Sequence, residues 1–203
     1  MTPLIENSAA LIGLWAVIGY LLGSIPFGIV LAKMMGLGNL RSIGSGNIGA
    51  TNVLRTGNKL AAALTLILDG GKGVVAVLAA RAAGGEDLAQ IAGLAAMIGH
   101  CYPVWLRFAG GKGVATFLGI VLALAWPVGI GCCLAWLAGA FATRISSMGA
   151  LVSSLASVPL AFVLGSADAV LLCAALAALI FWRHRANIAR IKAGTEPKIG
   201  RKT

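Results

Sequence analysis

Polar residues in this otherwise apolar sequence gather in four short segments, and the residue types in the first are suited to binding anions. That segment, residues 42–55, alternates glycines with hydroxyl and amide side chains and ends on an arginine. Glycines let backbone N–H groups turn toward an anion, and arginine can hold a phosphate through two hydrogen bonds. We therefore predict a phosphate-binding loop whose polar side chains include Ser45, Asn47, Thr51, Asn52 and Arg55.

A second glycine-rich segment surrounds one lysine at the start of an apolar stretch that is predicted to be helical. The segment comprises Gly110, Gly111, Lys112 and Gly113. Free N–H groups and the positive end of the helix dipole favour an anion at such a position, and the lysine adds a full charge. It is not a P-loop, since Leu106 stands where that motif has its first glycine and Gly113 where it has Ser or Thr. We predict a second anion site at Lys112.

The two remaining segments carry polar side chains at the spacing of one helical turn. His184 and Asn187 lie three residues apart, so a helix would place both on one face, and His184 is a candidate base. Asp69 and Lys72 have the same spacing within an apolar stretch, where charged side chains are costly unless they pair. We predict that Asp69 and Lys72 form an ion pair within the membrane and that this pair supports the site. We expect His100 to be a helix-packing residue.

The sequence lacks the residues that several other chemistries require. Apart from Asp69, Glu196 is the only acidic residue on the side predicted to face the cytoplasm, so no carboxylate cage for a metal ion is expected. A G-x-G-x-x-G pattern at Gly44, Gly46 and Gly49 follows no strand and belongs to no βαβ unit, which argues against dinucleotide binding. We expect neither a metal nor a cofactor.

The composition indicates a membrane protein. The 203 residues are 59% apolar and 11% charged, whereas about a quarter of an ordinary soluble domain is charged. The net charge of +10 does not indicate nucleic acid, because the cations lie between apolar runs rather than along a polar stripe. We expect the lipid bilayer as a partner and no nucleic acid, and the composition leaves the oligomeric state open.

Charge-free stretches predict an all-α, polytopic membrane protein. They are residues 7–32, 88–106, 113–143, 145–167 and 169–182. The third is too long for one crossing and has Trp126-Pro127 near its middle, which suggests a turn. Residues 60–83 form a further apolar stretch, interrupted by three charges. Counting both as crossing elements gives about seven transmembrane helices.

The positive-inside rule orients these helices with the N-terminus outside and the C-terminus in the cytoplasm, because nearly all cations then lie inside. Residues 1–192 form a single transmembrane domain in this interpretation, and residues 193–203 form a basic cytoplasmic tail. Arg183 and Arg190 are interpreted mainly as topological anchors.

Five ordered motifs resemble those of the bacterial acyl-phosphate:glycerol-3-phosphate acyltransferase (PlsY) family. They are residues 44–52 with Arg55, Asp69-x-x-Lys-Gly73, Gly99-His-x-x-Pro103, residues 110–116 and residues 183–190. The resemblance runs from the first helix to residue 190. One departure is Gly70-Gly71, where the family usually has bulkier residues, and it suggests a looser helix.

The resemblance implies the first acylation of bacterial phospholipid synthesis, with an active site that faces the cytoplasm from the inner membrane. An acyl group would move from acyl phosphate to the sn-1 hydroxyl of glycerol 3-phosphate, giving lysophosphatidate and phosphate. The residues expected to bind glycerol 3-phosphate are Ser45, Arg55, His184 and Asn187. Acyl phosphate is assigned to Gly110, Gly111, Lys112 and Gly113. Lys112 joins the first four as a candidate catalytic residue. Expected supporting residues are Asn47, Thr51, Asn52, Asp69 and Lys72.

A small transporter or channel for a phosphate-containing solute is the alternative interpretation, with the glycine-rich loops as an anion filter. Internal repeats would favour it, but the sequence has none. Cations along a path through the membrane would also favour it, and only Lys72 and Arg81 qualify.

Overall fold

Residues 1–200 of the computed structural model form ten α-helices joined by short loops and contain no β-strand, which confirms the all-α prediction. The helices are α1 (Ala9–Gly23), α2 (Phe27–Met34), α3 (Ala50–Val53), α4 (Lys59–Gly84), α5 (Glu86–Cys101), α6 (Val114–Leu124), α7 (Trp126–Thr143), α8 (Ser146–Val163), α9 (Val170–Arg183) and α10 (Arg185–Lys192). Single turns of 3-10 helix lie at Leu40–Ser42, Leu54–Thr56, Val104–Leu106 and Ala167–Ala169. Arg201 and Lys202, assigned above to the cytoplasmic tail, lie outside the described residues.

Three breaks divide the apolar stretches. α6 ends at Leu124 and α7 begins at Trp126, so the turn predicted at Trp126-Pro127 is confirmed. Pro127 lies in the first turn of α7, where its missing N–H costs no helical hydrogen bond. Pro26 directly precedes α2. α9 and α10 meet at His184 with a bend of 62°.

Four helical segments among residues 1–200 are long and apolar enough to cross a membrane, or up to five if the bent pair of α9 and α10 counts as one span. They are Ala9–Met34, Lys59–Gly84, Trp126–Thr143 and Ser146–Val163. α5 and α6 are shorter, with 16 and 11 residues. The helices fit a multi-pass membrane protein, while the count of about seven crossings stays a prediction.

One end of the bundle, which we call the acidic end, joins the N-terminus to the α4–α5 and α6–α7 junctions. Arg81 donates to the carboxylate of Glu86 at 2.8 Å and to the carbonyl of Ala123 at 2.6 Å. The side-chain amide of Asn7 donates to Asp87 at 2.7 Å. These contacts hold α1 and α5 side by side and antiparallel to α4.

The opposite end, which we call the basic end, gathers the loops that follow α2, α5, α7 and α9. Arg41 donates to the carbonyl of Ala109, and the hydroxyls of Thr51 and Ser146 lie 3.2 Å apart. Most cations therefore lie at one end of the bundle, as expected from their positions in the sequence. Cations of the basic end include Arg41, Arg55, Lys59, Arg107, Lys112, Arg144 and Arg183.

α6 begins in the interior of the bundle rather than at its end. Thr116, in the first turn of α6, donates its hydroxyl to the carbonyl of Asp69 at 2.9 Å. Asp69 lies about 15 Å along α4 from Lys59, at 1.5 Å per residue. The segment before α6 therefore enters the bundle from the basic end, which leaves Lys112 in a recessed position.

The apolar core fixes α6 in place. This core lies between α4, α5, α6, α7, α8 and α9. Its largest buried side chains include Met97, Phe117, Ile120, Leu176 and Ile180. Because α6 contributes two of these, packing of its middle determines where its first turn sits.

α4 and α6 approach each other through glycines. A Cβ on Gly119 would lie 2.1 Å from the carbonyl oxygen of Gly70, so a larger residue does not fit at position 119. Gly71, in contrast, has no atom within 4 Å of its Cβ position. α4 runs unbroken through Gly70 and Gly71, so the two glycines do not interrupt the helix.

We expect Gly119→Ala to destabilise the protein, because the added methyl group meets the Gly70 carbonyl and pushes α4 and α6 apart. Overpacking of this kind costs about 1–3 kcal/mol. Gly71→Ala is the matched control, since it adds the same methyl group to open space. Thermal unfolding in detergent measures both variants, and equal midpoints would contradict this account of the helix crossing.

Candidate active site

A cavity of about 590 Å³ lies at the basic end, between residues 44–55, α4, the start of α6, α7, α8 and the α9–α10 junction. All five candidate catalytic residues line it, namely Ser45, Arg55, Lys112, His184 and Asn187. The cavity is also lined by Asn47, Thr51, Asn52, Asp69 and Gly113. Gly110, Gly111 and Lys72 are not part of its lining.

Asn52 organises the 44–55 loop from a buried position. Its side-chain NH₂ donates to the carbonyls of Leu40 at 2.9 Å and Asn47 at 2.7 Å. Its Oδ1 accepts from the backbone N–H of Ser45 at 3.1 Å and from Arg55 Nη1 at 3.4 Å. One amide thus fixes both ends of the loop and the arginine that faces the cavity.

Close approach of the loop to Arg55 requires glycine at position 44. Gly44 has a φ of +52°, in the left-handed region that favours glycine, and a Cβ there would lie 2.5 Å from Arg55 Cδ. The glycine at position 44 therefore allows the Arg55 side chain to pack directly against the backbone of the loop.

Lys112 donates a hydrogen bond from Nζ to Asn187 Oδ1 and so connects the α6 side of the cavity to α10. Burial lowers the pKa of Lys112 to about 8, although the carboxylate of Glu196 opposes this shift. The protonated form therefore still predominates at neutral pH. Lys112 is partly buried, and an ammonium with reduced access to solvent is well suited to bind an anion.

Glu196, in the predicted basic tail, also lines the cavity. Its carboxylate accepts from Ser147 Oγ at 2.7 Å, from Arg190 Nε at 2.7 Å and from the side-chain amide of Asn187. Burial raises the pKa of Glu196, but these hydrogen bonds outweigh it and hold the pKa below its usual value. The backbone N–H of Ile199 donates to a carbonyl in the α7–α8 loop at 2.7 Å, so this segment folds back onto the bundle.

His184 lies at the bend between α9 and α10 and is buried. Its Nδ1 lies 2.8 Å from the carbonyl oxygen of Ile180. Because a carbonyl only accepts hydrogen bonds, Nδ1 carries a proton, and in the neutral ring Nε2 is the basic nitrogen. His184 therefore has one nitrogen available to take or share a proton.

The predicted ion pair between Asp69 and Lys72 is present, with 2.8 Å between Lys72 Nζ and Asp69 Oδ1, and both side chains are buried. Lys72 also donates to the carbonyl of Ile25 at 2.8 Å. His100 Nδ1 lies 3.7 Å from Asp69 Oδ1, and His100 lines the cavity. His100 thus belongs to the floor of the site rather than only to helix packing.

The amides of Gly110 and Gly111 are engaged within the protein. Gly110 N–H donates to the carbonyl of Cys101 at 3.1 Å, and Gly111 N–H donates to that of His100 at 3.0 Å. Within residues 1–200, no such acceptor contacts the N–H of Lys112 or Gly113. The first backbone N–H of this segment that is available to bind an anion is therefore that of Lys112.

The cavity also has an apolar wall, which reaches the outer surface of the bundle. This wall includes Leu118 and Trp136, together with Leu66 and Leu137, which are 52% and 56% exposed. In a membrane protein such outward-facing leucines contact lipid tails. The cavity therefore has a polar part toward the loops and an apolar part toward the lipid.

Apolar spans with a recessed, cation-lined cavity define a multi-pass membrane protein that is equipped to bind anions. The family model described as "Glycerol-3-phosphate acyltransferase" matches residues 13–194. A glycerol-3-phosphate acyltransferase from Roseobacter denitrificans is 84% identical over 98% of this chain and 100% of its own length. Another from Ruegeria pomeroyi is 66% identical over 99% of both chains. The chain belongs to the glycerol-3-phosphate acyltransferase family, which confirms the resemblance found in its motifs.

Two solved structures have the same fold. The glycerol 3-phosphate form of PlsY (YgiH), an integral membrane glycerol 3-phosphate acyltransferase, superposes with a TM-score of 0.88 at 38% identity, covering 93% of this chain and 96% of that chain. Its lysophosphatidic acid form gives a TM-score of 0.85 at 36% identity, with 93% and 95% covered. The protein is thus an integral membrane acyltransferase of phospholipid synthesis.

We expect Asn52→Ala to destabilise the protein, because the buried carbonyl of Leu40 and the partly buried carbonyl of Asn47 lose their donor. Such a loss costs about 1–3 kcal/mol. Asn39→Ala is the control, because Asn39 is exposed and, among residues 1–200, its side chain accepts only from the N–H of Arg41. Thermal unfolding in detergent compares the two, and an Asn52→Ala midpoint no lower than that of Asn39→Ala would be inconsistent with an organising role.

Proposed function

We propose that this protein transfers a fatty acyl group from acyl phosphate to the sn-1 hydroxyl of glycerol 3-phosphate, forming lysophosphatidate and inorganic phosphate. The observation that carries the proposal is the convergence of two separately held cations, Arg55 and Lys112, on one recessed cavity. Two phosphate-bearing substrates bring several negative charges together, and fixed cations and donors stabilise that charge.

Each substrate matches one part of the cavity. The phosphate of acyl phosphate would lie against Lys112, Gly113 and the first turn of α6, with its acyl chain along the apolar wall. Glycerol 3-phosphate would bind to the polar part, which holds Ser45, Arg55, His184 and Asn187. The glycerol 3-phosphate form of the PlsY structure supports this substrate for a family member of the same fold.

The chemistry needs no covalent intermediate on the protein, because acyl phosphate is already an activated anhydride. The sn-1 oxygen attacks the carbonyl carbon, a new C–O ester bond forms, and the bond from that carbon to the phosphate oxygen breaks. The hydroxyl proton goes to the departing phosphate or to Nε2 of His184. Lys112 stabilises the charge that grows on the leaving phosphate.

We further propose about seven membrane-crossing helices in the bacterial inner membrane, with the N-terminus outside and the C-terminus and cavity at the cytoplasmic side. The concentration of cations at the basic end supports this orientation, since such residues stay in the cytoplasm. A cytoplasmic cavity gives glycerol 3-phosphate access from the aqueous side, and the apolar wall gives the acyl chain access from the bilayer.

The direct test supplies the purified protein with acyl phosphate and glycerol 3-phosphate and measures phosphate release and lysophosphatidate by mass spectrometry. Acyl-CoA in place of acyl phosphate is the donor control. We expect 1-acyl lysophosphatidate with acyl phosphate and little product with acyl-CoA. Uptake of glycerol 3-phosphate into protein-containing liposomes without product formation would favour the transporter alternative instead.

We expect Lys112→Ala and Arg55→Ala to lower the rate of lysophosphatidate formation by about 100-fold or more, because each removes a charge that stabilises the transition state. Lys59→Ala is the matched control, because Lys59 is an exposed cation at the same end that does not line the cavity. Wild-type rates in either cavity variant would rule out its assigned role.

The pH dependence should report Lys112. We expect kcat/KM for acyl phosphate to fall as the pH rises through about 8, since the free protein then loses the Lys112 charge. In Lys112→Arg the guanidinium stays protonated, so any remaining activity should keep its kcat/KM to higher pH. The same alkaline decline in an active Lys112→Arg variant would show that another group titrates.

A further inference from the structure

Arg183, the last residue of α9, donates two hydrogen bonds to the glycine segment that precedes α6. Its Nε donates to the carbonyl of Gly111 at 3.0 Å, and its Nη2 donates to the carbonyl of Gly110 at 3.1 Å. Two parallel bonds from one planar guanidinium fix the orientation of both peptide groups more firmly than a single bond would.

The guanidinium is itself held from a second direction. Its central carbon lies 4.9 Å from the centroid of the Tyr102 ring, which is within the range of a cation–π contact. The backbone carbonyl of Tyr102 accepts a hydrogen bond from the Tyr20 hydroxyl at 2.9 Å, which anchors this loop to α1. Arg183 therefore has a supported position and is not a freely moving surface cation.

The orientation of the Gly111 carbonyl determines where the next N–H points. In a planar trans peptide the C=O and N–H groups point in opposite directions. With its carbonyl turned to Arg183, the Gly111–Lys112 peptide directs the N–H of Lys112 away from Arg183. This N–H is the first of the segment that is not engaged, since those of Gly110 and Gly111 donate to α5.

We propose that Arg183 is a positioning residue for the acyl-phosphate site, which holds the Gly111–Lys112 peptide so that the amide of Lys112 can bind the phosphate. The assignment rests on the proposed function, because it concerns the same site. A positioning residue and a topological anchor differ in the side chain that each role requires. An anchor needs only a positive charge, whereas two carbonyls 3.0 and 3.1 Å away need the planar fork of arginine.

Arg185 offers a matched control two positions along the chain. Its guanidinium also stacks on an aromatic ring, that of Trp182, at 4.7 Å from the centroid. It is exposed, and it makes no hydrogen bond to the glycine segment within residues 1–200. Arg185→Lys is therefore the same chemical change at the same end of the bundle, but it removes no hydrogen bond to the Gly110 and Gly111 carbonyls.

The experiment measures steady-state kinetics of purified Arg183→Lys, Arg185→Lys and wild-type protein with acyl phosphate and glycerol 3-phosphate varied separately. We expect Arg183→Lys to raise KM for acyl phosphate by about tenfold, the effect of one charge-assisted hydrogen bond. KM for glycerol 3-phosphate should change much less, and Arg185→Lys should match the wild type. A general loss of structure would not produce this selective change.

The outcomes separate this assignment from the function on which it rests. If the wild type is active and Arg183→Lys has the wild-type KM for acyl phosphate, charge alone suffices and the positioning role is wrong. If the wild type forms no lysophosphatidate, the proposed function fails and the assignment fails with it. Should Arg183→Lys not fold, Tyr102→Leu replaces it, since it removes the ring on which the guanidinium stacks and keeps an apolar side chain against the core. An unchanged KM for acyl phosphate in folded Tyr102→Leu would then overturn the assignment.

Discussion

The hydrogen bond from Lys112 to Asn187 is the interaction on which the rest of the site depends. It joins the segment before α6 to α10, and Asn187 in turn donates to Glu196 in the returning tail. Because a charge that loses solvent is costly unless it is paired or hydrogen-bonded, this chain of contacts helps the partly buried Lys112 to remain protonated. Arg190 donates to the same carboxylate and holds it in place, although its positive charge opposes protonation of Lys112. An anion that enters the cavity therefore meets charges that are already in place.

The helices provide the recess that makes this arrangement useful. α6 starts level with Asp69, about 15 Å from the start of α4. Because Gly119 has no side chain, α6 can pack directly against the Gly70 carbonyl of α4, and this close packing holds α6 at that position. A short helix that begins inside the bundle places its first residues along the cavity, where Lys112, Gly113 and Val114 are part of the lining. The polar loops and the apolar wall then meet at one place, as the transfer of a lipid chain to a water-soluble acceptor requires.

The sequence predicted which residues face the cavity better than it predicted how they are held. Glycines, amides and cations at fixed spacing identify Arg55 and Lys112 as cavity residues because few other roles suit them in an apolar chain. The contacts of Arg183 and Glu196 were missed, since pairing with carbonyls or side chains far along the chain leaves no local pattern. The helix break at Trp126 followed from proline chemistry. Hydropathy could not show that α6 begins inside the bundle rather than at its end.

Titration calorimetry of the purified protein with glycerol 3-phosphate tests the central claim most directly, which is that the recessed cations bind phosphate. Glycerol serves as the ligand that differs only in lacking phosphate. The account predicts saturable binding of glycerol 3-phosphate at neutral pH, no measurable binding of glycerol, and loss of binding in Arg55→Ala. Equal affinities of wild type and Arg55→Ala for glycerol 3-phosphate, or equal binding of the two ligands, would contradict it.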